Sequence, residues 1–201
     1  MISKINFNLN DILVEEKIKK VNQSHRDISS TSIDELNKNM KISNPYYFAT
    51  GHSYHNSLDR DKLNQKLLIN YLKKNYGGEW RISGAFLYNE NNYLGWHTNN
   101  GGDGTRCYFS YSFEDNSNIF RYRNPYTKEV IDSYDKIGWN VRLFTIDKDN
   151  PFWHCVIANS KRYSFGFRNA NPSKELSEKI KLCLQSPSKT EETNHPNQIG
   201  L

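Results

Sequence analysis

The sequence predicts a mainly β protein with flanking helices, namely a double-stranded β-helix (jelly roll) with a helical N-terminal layer. Short runs rich in aromatic and β-branched residues follow one another from Trp80 to Arg168. Gly, Asn, Asp and Pro separate these runs, and no helical pattern lies between them, which favours an antiparallel sandwich or barrel. Aromatic residues make up 13% of a chain that is only 36% hydrophobic, so Tyr and Phe are expected to build much of the core.

The first 78 residues are expected to form a helical region that packs on the barrel. Apolar residues at helical spacing predict helices over Leu9–Val21, Ser32–Met40 and, most clearly, Asp59–Tyr76. Gly77-Gly78 supplies the stop for the third helix. The segment Gly51-His52-Ser53 is predicted to be a loop because of its small and polar residues.

Residues 79–184 are expected to form the jelly-roll core, which ends with a closing helix over Pro172–Leu184. The polar residues 185–201 are predicted to be a disordered tail. Eight strands are expected: Trp80–Tyr88, Tyr93–Thr98, Arg106–Phe113, Ile119–Arg123, Glu129–Tyr134, Asn140–Ile146, Trp153–Ile157 and Tyr163–Arg168.

Composition excludes several classes of protein. The formal net charge is +5, but Lys and Arg are dispersed, which does not favour a dedicated nucleic-acid reader. The cysteines Cys107, Cys155 and Cys183 are too few and too scattered for a disulfide framework or a thiolate zinc site. No apolar run follows the N-terminus and none is long enough to span a membrane, so we expect a cytoplasmic protein without a membrane partner.

Two histidines near strand ends are candidate metal ligands. Residues i and i+2 of a strand project from the same face, so His97 and Asn99 can point at one centre. His154, at the start of another strand, can supply a third donor. Two imidazoles and one oxygen on one face leave open positions, which suits non-haem iron(II). The alternative is that these histidines are ordinary structural residues.

The predicted strand Tyr163–Arg168 and the residue before it carry a second signal. Alternation places Arg162, Ser164, Gly166 and Arg168 on one side and aromatic residues on the other. A cation on the inner side of a barrel needs an anion, and the planar guanidinium suits a carboxylate. The alternative is an arginine paired with Asp or Glu of the chain itself.

Together these residues resemble the iron(II)/2-oxoglutarate-dependent oxygenase superfamily, in particular its prolyl-hydroxylase and alkylated-base-demethylase branches. The resemblance extends from about Gly84 to Asn169. The segments that carry it are Leu87-Tyr88-Asn89, Tyr93-Leu94-Gly95-Trp96-His97-Thr98-Asn99, Gly138-Trp139-Asn140-Val141-Arg142-Leu143-Phe144, Trp153-His154-Cys155-Val156 and Arg162-Tyr163-Ser164.

The resemblance implies a set of roles. His97, His154 and the residue at position 99 would bind iron. Arg162 would bind the distal carboxylate of 2-oxoglutarate, with Ser164 adding a hydrogen bond. Tyr88 would reach the same carboxylate. The alternative, that Tyr88 is an ordinary aromatic residue of the core, is equally compatible with the sequence. Arg168 matches the second arginine of the demethylase branch.

Asn99 departs from the family pattern, which usually has Asp or Glu at this position. An amide oxygen brings a dipole where a carboxylate brings a negative charge, so weaker metal binding is expected. Asp103, in the following Gly-rich loop, is a candidate replacement carboxylate. The implied activity is that of a dioxygenase, an oxidoreductase that couples the oxidative decarboxylation of 2-oxoglutarate by dioxygen, which yields succinate and carbon dioxide, with oxidation of a substrate C–H bond.

The substrate, a small molecule or peptide, is not specified by the sequence. Two other functions stay open: a jelly-roll carboxylate-binding protein or pseudoenzyme without redox activity, and a nucleic-acid demethylase. His52 and His55 are read as solvent-exposed or substrate-loop histidines. Arg121 and Arg123, interleaved with aromatic residues, suit either contact with a flat or acidic substrate or a solvated strand face.

Overall fold

The computed structural model describes residues 5–23, 53–99, 103–147 and 149–185. Its helices are α1 (Leu9–Ile12), α2 (Gln65–Tyr76) and α3 (Lys174–Gln185), with a 3-10 turn at Arg60–Lys62. Its strands are β1 (Ile18–Gln23), β2 (Ser53–Leu58), β3 (Arg81–Tyr88), β4 (Asn92–His97), β5 (Gly104–Ser112), β6 (Asn118–Arg123), β7 (Val130–Tyr134), β8 (Gly138–Ile146), β9 (Trp153–Ala158) and β10 (Arg162–Asn169).

The strand order is that of a jelly roll. Strands β3, β10, β5 and β8 are neighbours in one half of the sheet, and β7, β6, β9 and β4 are neighbours in the other half. The chain alternates between the two halves, except at the β6–β7 hairpin. All pairings between named strands are antiparallel, and β2 joins the halves by pairing with both β3 and β4. The predicted fold class is therefore confirmed, and each of the eight predicted strands is present.

The helices cover the outer face of the β3-β10-β5-β8 half. Tyr71 of α2 lies edge-on to Phe109 of β5, with ring centroids 5.7 Å apart. Leu72 of α2 and Ile180 of α3 are fully buried in the same apolar cluster as Phe165 of β10. The preceding residue of β5, Tyr108, lies on the inner face and contacts His154 of β9. The apolar outer face thus stabilises the barrel, while the inner face is free to carry polar groups.

The N-terminal prediction is wrong in part. The helix predicted over Leu9–Val21 ends at Ile12, and the chain then forms β1, which pairs antiparallel with β2. Ile18 and Val21 are exposed, so their helical spacing does not mark a buried face. The loop predicted at the start of β2 is replaced by strand from Ser53 onward, because the backbone there pairs with β1, β3 and β4.

The third predicted helix is shorter than expected, since α2 begins at Gln65 after the 3-10 turn. The predicted helix over Ser32–Met40 and the predicted tail lie outside the described residues, apart from Gln185, which ends α3. None of the helices in the described part of the chain is long and apolar enough to cross a membrane.

Two adjacent glycines after α2 offer a matched stability test. Gly77 and Gly78 both have positive φ, +64° and +72°, but only at Gly78 is the space filled. A Cβ there would lie 2.3 Å from Nδ2 of Asn169, whereas a Cβ at Gly77 would meet nothing within 4 Å. Gly77→Ala is expected to cost about 1–3 kcal/mol of unfolding free energy, because φ +64° with ψ −171° is a region that only glycine adopts readily, and Gly78→Ala more, because the buried Asn169 amide must also move. Urea denaturation measures both; equal losses would contradict the contact with Asn169.

Candidate metal and carboxylate site

A cavity of about 220 Å³ lies between the two halves of the barrel. It is lined by five of the residues predicted to form the site, which are Tyr88, His97, Asn99, His154 and Ser164. His55, Phe86 and Tyr108 add aromatic walls. The volume is below the roughly 300–1,000 Å³ of sites for drug-sized ligands, so it suits a small molecule.

The two predicted histidine ligands are direct cross-strand partners. His97 is the last residue of β4 and lies opposite His154 in β9. Their ring centroids are 4.1 Å apart, with an angle of 55° between the ring planes. The pairing register shifts between Leu94 and His97, which alters the local alternation at the end of β4. The fold therefore brings together two imidazoles that are distant in sequence.

Both imidazoles are oriented through the same ring nitrogen. Nδ1 of His97 is 2.8 Å from the carbonyl oxygen of Gly95, and Nδ1 of His154 is 3.2 Å from that of Phe152. A carbonyl only accepts, so each Nδ1 carries the proton and each Nε2 keeps a lone pair. Metal-binding histidines in proteins are commonly fixed in this way, with the second nitrogen directed to a carbonyl.

The cavity keeps these imidazoles neutral. Burial lowers the pKa of His154 well below its usual value, and the nearby His97 and Arg106 lower this pKa further, against the opposing bond to Phe152. Burial also lowers the pKa of His97, with the Gly95 carbonyl opposing. Neutral imidazole is the form that binds metal ions, so no proton has to be displaced from Nε2 at neutral pH.

The side chain of Asn99 lies beside that of His154. Its Nδ2 donates to the Tyr108 hydroxyl at 2.7 Å and is 3.5 Å from Nε2 of His154. Rotating the amide by half a turn about its last side-chain bond would exchange Nδ2 with Oδ1. The amide can therefore cap the lone pair of His154 or present an oxygen to a metal bound there.

A carboxylate ligand is not found with the histidines. Within residues 5–23, 53–99, 103–147 and 149–185, no group of three or more His, Cys, Asp and Glu side chains is arranged to hold a metal. Asp103 is exposed and does not line the cavity. The candidate metal donors are therefore two neutral imidazoles and one amide, a set with one negative charge fewer than one that includes a carboxylate.

Arg162 is fully buried and paired with an acidic residue of the chain. Its Nε donates to Asp135 at 2.6 Å, and Asp135 also accepts from Arg142 at 2.6 Å. The alternative of an intramolecular partner is thus realised. It is incomplete, because Nη1 and Nη2 of Arg162 are buried and have no hydrogen-bond partner in the described part of the chain. Two arginines and one aspartate leave one positive charge in the interior.

This guanidinium lies next to the cavity. Its central carbon is 5.6 Å from the ring centroid of Tyr88, which lines the cavity, although Arg162 does not line the cavity itself. Ser164 is two residues further along β10 and lines the wall. Burial raises the pKa of Tyr88 far above its usual value, so its hydroxyl stays protonated. Arg168 lies beyond Gly166 in β10 and lines a separate groove.

Sequence reasoning missed His55, which is neither in a loop nor exposed. It belongs to β2, stacks on Tyr88 with centroids 5.3 Å apart, and lines the cavity. Its Nδ1 is buried without a hydrogen-bond partner among the described residues. Burial lowers its pKa to about 4, so the ring is neutral. The unpartnered Nδ1 can then accept a hydrogen bond from a ligand. His52 lies outside the described residues.

Comparisons with known proteins give only weak likenesses. No protein family model and no curated protein matches the sequence. A 2OG-Fe(II) oxygenase family oxidoreductase from Burkholderia pseudomallei has 11% identity, 57% coverage of each chain and a TM-score of 0.38. A prolyl-4-hydroxylase from Pseudomonas putida has 11% identity and a TM-score of 0.39, with 61% of this chain and 73% of that chain covered.

A third similar structure has another activity. Peruvianin-I, a cysteine peptidase from Thevetia peruviana latex, has 9% identity and a TM-score of 0.35, with 80% of this chain and 95% of that chain covered. The present chain spans only 57% of the Burkholderia oxidoreductase. At such low TM-scores these likenesses do not define a function, which has to be argued from the cavity residues.

Proposed function

We propose that the protein is an iron(II)/2-oxoglutarate-dependent dioxygenase that hydroxylates a small substrate. The observation that supports this most strongly is the pair formed by His97 and His154. Both imidazoles are neutral, both have Nδ1 directed to a carbonyl, and both line the same cavity. Because Nδ1 of each ring is directed to a carbonyl, Nε2 is the nitrogen that each ring can offer to a metal.

Each lining residue has a defined task in this proposal. His97 and His154 bind the metal through Nε2, and the Asn99 amide turns its oxygen toward it. Ser164 and Tyr88 donate to a carboxylate of 2-oxoglutarate, while the unpartnered Nη1 and Nη2 of Arg162 supply its counter-charge. Bound iron(II) with 2-oxoglutarate and dioxygen supplies the oxidising chemistry.

Aromatic rings pack against the imidazole of His154 and shield it from solvent on those sides. Phe120 stacks on His154, with centroids 5.3 Å apart, and Tyr108 lies edge-on to the same ring at 5.8 Å. A dry site strengthens the electrostatic attraction between the carboxylate and Arg162. The chain's own contribution is thus to hold the ligands, fix their orientation and limit access of solvent.

A carboxylate-binding protein without redox activity is the second candidate. It is favoured by the amide at position 99 and by the lack, among the described residues, of a carboxylate grouped with the two histidines. A nucleic-acid demethylase has less support, because the two arginines of β6 are not available to a nucleic acid. Arg121 is buried in an ion pair with Asp132, and Nε of Arg123 donates to the carbonyl of Lys128 at 3.2 Å, so these side chains have intramolecular partners.

Reconstitution with iron(II) under anaerobic conditions, followed by addition of 2-oxoglutarate and oxygen, tests the proposal. We expect one iron per chain and slow release of succinate without added substrate. His97→Ala and His154→Ala should both abolish iron binding because each removes a ligand. Lys66→Gln, on the exposed side of α2, is the control and should leave both properties unchanged.

The two candidates give different results in this experiment. A carboxylate-binding protein would bind 2-oxoglutarate with the same affinity before and after the His97→Ala change, and would release no succinate. Absence of iron binding by the unaltered protein would contradict the oxygenase.

A further inference from the structure

A second groove, of about 500 Å³, is formed by the turn before β3 and the end of β10. Its lining includes Gly78, Glu79, Arg81, Arg168 and Asn169. We propose that this groove binds a phosphate group. The site is distinct from the histidine cavity, and its donors do not depend on a metal.

The sheet register places three arginines side by side. Arg168 of β10 lies opposite Arg81 of β3 on one side and opposite Arg106 of β5 on the other. Direct cross-strand partners share a face, and like charges in such positions destabilise a sheet. Arg81 is exposed, Arg168 is half-buried and Arg106 is buried, so positive charge extends from the surface into the barrel.

No acidic residue of the described chain neutralises the outer two arginines. Neither Arg81 nor Arg168 takes part in any of the ion pairs formed within the described ranges. Glu79 lines the groove, but its carboxylate is 2.9 Å from Nζ of Lys73. Arg81 and Arg168 are therefore left for an external anion.

Two buried donors of the groove also have no partner. Nε of Arg168 and Nδ2 of Asn169 make no hydrogen bond within the described residues. Asn169 is only 2% exposed, and its Oδ1 accepts from the backbone N–H of Asn171 at 3.1 Å. That bond fixes the amide with its NH₂ group unused. A buried donor without a partner is costly, and a ligand oxygen would remove this cost.

The chemistry of the groove selects a phosphate over a carboxylate. The unused groups are guanidinium and amide donors, which bind oxyanions, and guanidinium matches the geometry of phosphate. A phosphomonoester carries about −1.5 to −2 charge at pH 7, which complements the two arginines of the groove better than the single charge of a carboxylate. The groove is larger than one phosphate, so the group is expected to be part of a larger molecule.

The position of the groove suggests how such a ligand is used. Ser83 and Gly166 line the histidine cavity. Ser83 lies two residues from Arg81 in β3, and Gly166 lies two residues from Arg168 in β10. Two residues of a strand span about 7 Å. If the proposed hydroxylase activity is correct, a phosphate in the groove anchors the substrate beside the metal. Phosphate binding itself does not rest on that activity.

Titration of the metal-free protein with inorganic phosphate tests the site, and NMR signals of the backbone amides report the binding. We expect saturable shifts of Gly78 and Asn171, and phosphate binding tighter than acetate binding. Arg81→Gln should weaken phosphate binding about tenfold, equivalent to 1.4 kcal/mol. Arg168→Lys keeps the charge but loses the fork, and should also weaken binding. Lys66→Gln removes one charge from the exposed side of α2 and should leave the affinity unchanged.

Three outcomes would overturn the proposal. These are equal weakening by Lys66→Gln and Arg81→Gln, equal affinity for acetate and phosphate, or shifts confined to the histidine cavity. If the unaltered protein releases succinate but does not bind phosphate, the phosphate site is rejected and the hydroxylase proposal stands. Phosphate binding without iron binding would do the reverse.

Discussion

Asp135→Asn is expected to cost about 3–5 kcal/mol of unfolding free energy, because it leaves two buried arginines without their shared counter-ion. Asp135 is fully buried and accepts hydrogen bonds from Arg142 and Arg162, both at 2.6 Å. The hydroxyl of Ser110 adds a bond of 3.2 Å. Asparagine keeps the size but loses the charge, so the site would hold two uncompensated cations. Urea denaturation at neutral pH measures the loss.

The effect has a defined pH dependence. Burial alone would raise the pKa of Asp135, but the guanidinium groups of Arg162 and Arg142 outweigh burial and hold this pKa below its usual value. A depressed pKa means that the stabilisation is fully present above the unfolded value of about 3.9 and is lost as the pH falls through the folded value. The difference between the two proteins should therefore be constant from neutral pH to about pH 4 and shrink below it.

Asp132→Asn is the matched control. Asp132 pairs with the buried Arg121, but its own side chain is 24% exposed, so water can replace part of the lost interaction. We expect this change to cost clearly less than Asp135→Asn. Equal losses, or a loss below about 1 kcal/mol for Asp135→Asn, would contradict the assignment of Asp135 as the counter-ion for both arginines.

The barrel could be predicted because each strand carries its own local signal. Alternating or aromatic-rich runs bounded by turn residues mark the eight strands from β3 to β10. The N-terminal strands carry no such signal. β1 has exposed apolar residues at helical spacing, and β2 begins with small and polar residues. Their strand conformation is set by pairing across the sheet, which depends on residues far away in the sequence.

The site could be predicted only where its residues carry chemistry in strand context. His97, Asn99, His154 and Ser164 line one cavity, although β4 ends at His97 and Asn99 therefore lies beyond the strand whose alternation predicted its position. The partner of Arg162 was not identified, because Asp135 lies 27 residues away in the turn after β7. His55 was missed for the same reason as β2, since nothing in its local sequence indicates burial.

Asn99→Asp is expected to tighten iron(II) binding by about tenfold or more, or at least 1.4 kcal/mol. The amide is 3.5 Å from Nε2 of His154 and 2.7 Å from the Tyr108 hydroxyl, so a carboxylate of the same size would reach the same place. It adds a negative charge beside the metal and next to the fully buried His154, where Coulomb attraction is stronger than in bulk water. Tyr108 can donate to it, since burial raises the pKa of this hydroxyl to about 12 and keeps its proton in place.

The same substitution should lower the thermal stability of the protein when no metal is bound. In the native site Nδ2 of Asn99 faces the lone pair of His154, whereas a carboxylate offers only acceptors to it. We therefore expect a lower Tm for the metal-free variant and a larger rise in Tm on addition of iron(II). Asn116→Asp, in the exposed turn between β5 and β6, makes the same change of charge without contact to the cavity and is the control.

Thermal denaturation with and without iron(II), together with an anaerobic iron titration, measures both effects. An affinity unchanged by Asn99→Asp would mean that the amide does not face a metal. The third donor would then have to be Asp103 or water, and the same titration on an Asp103→Asn variant separates the two. Loss of affinity in that variant would identify Asp103, whereas an unchanged affinity would leave the two histidines and water as the ligands.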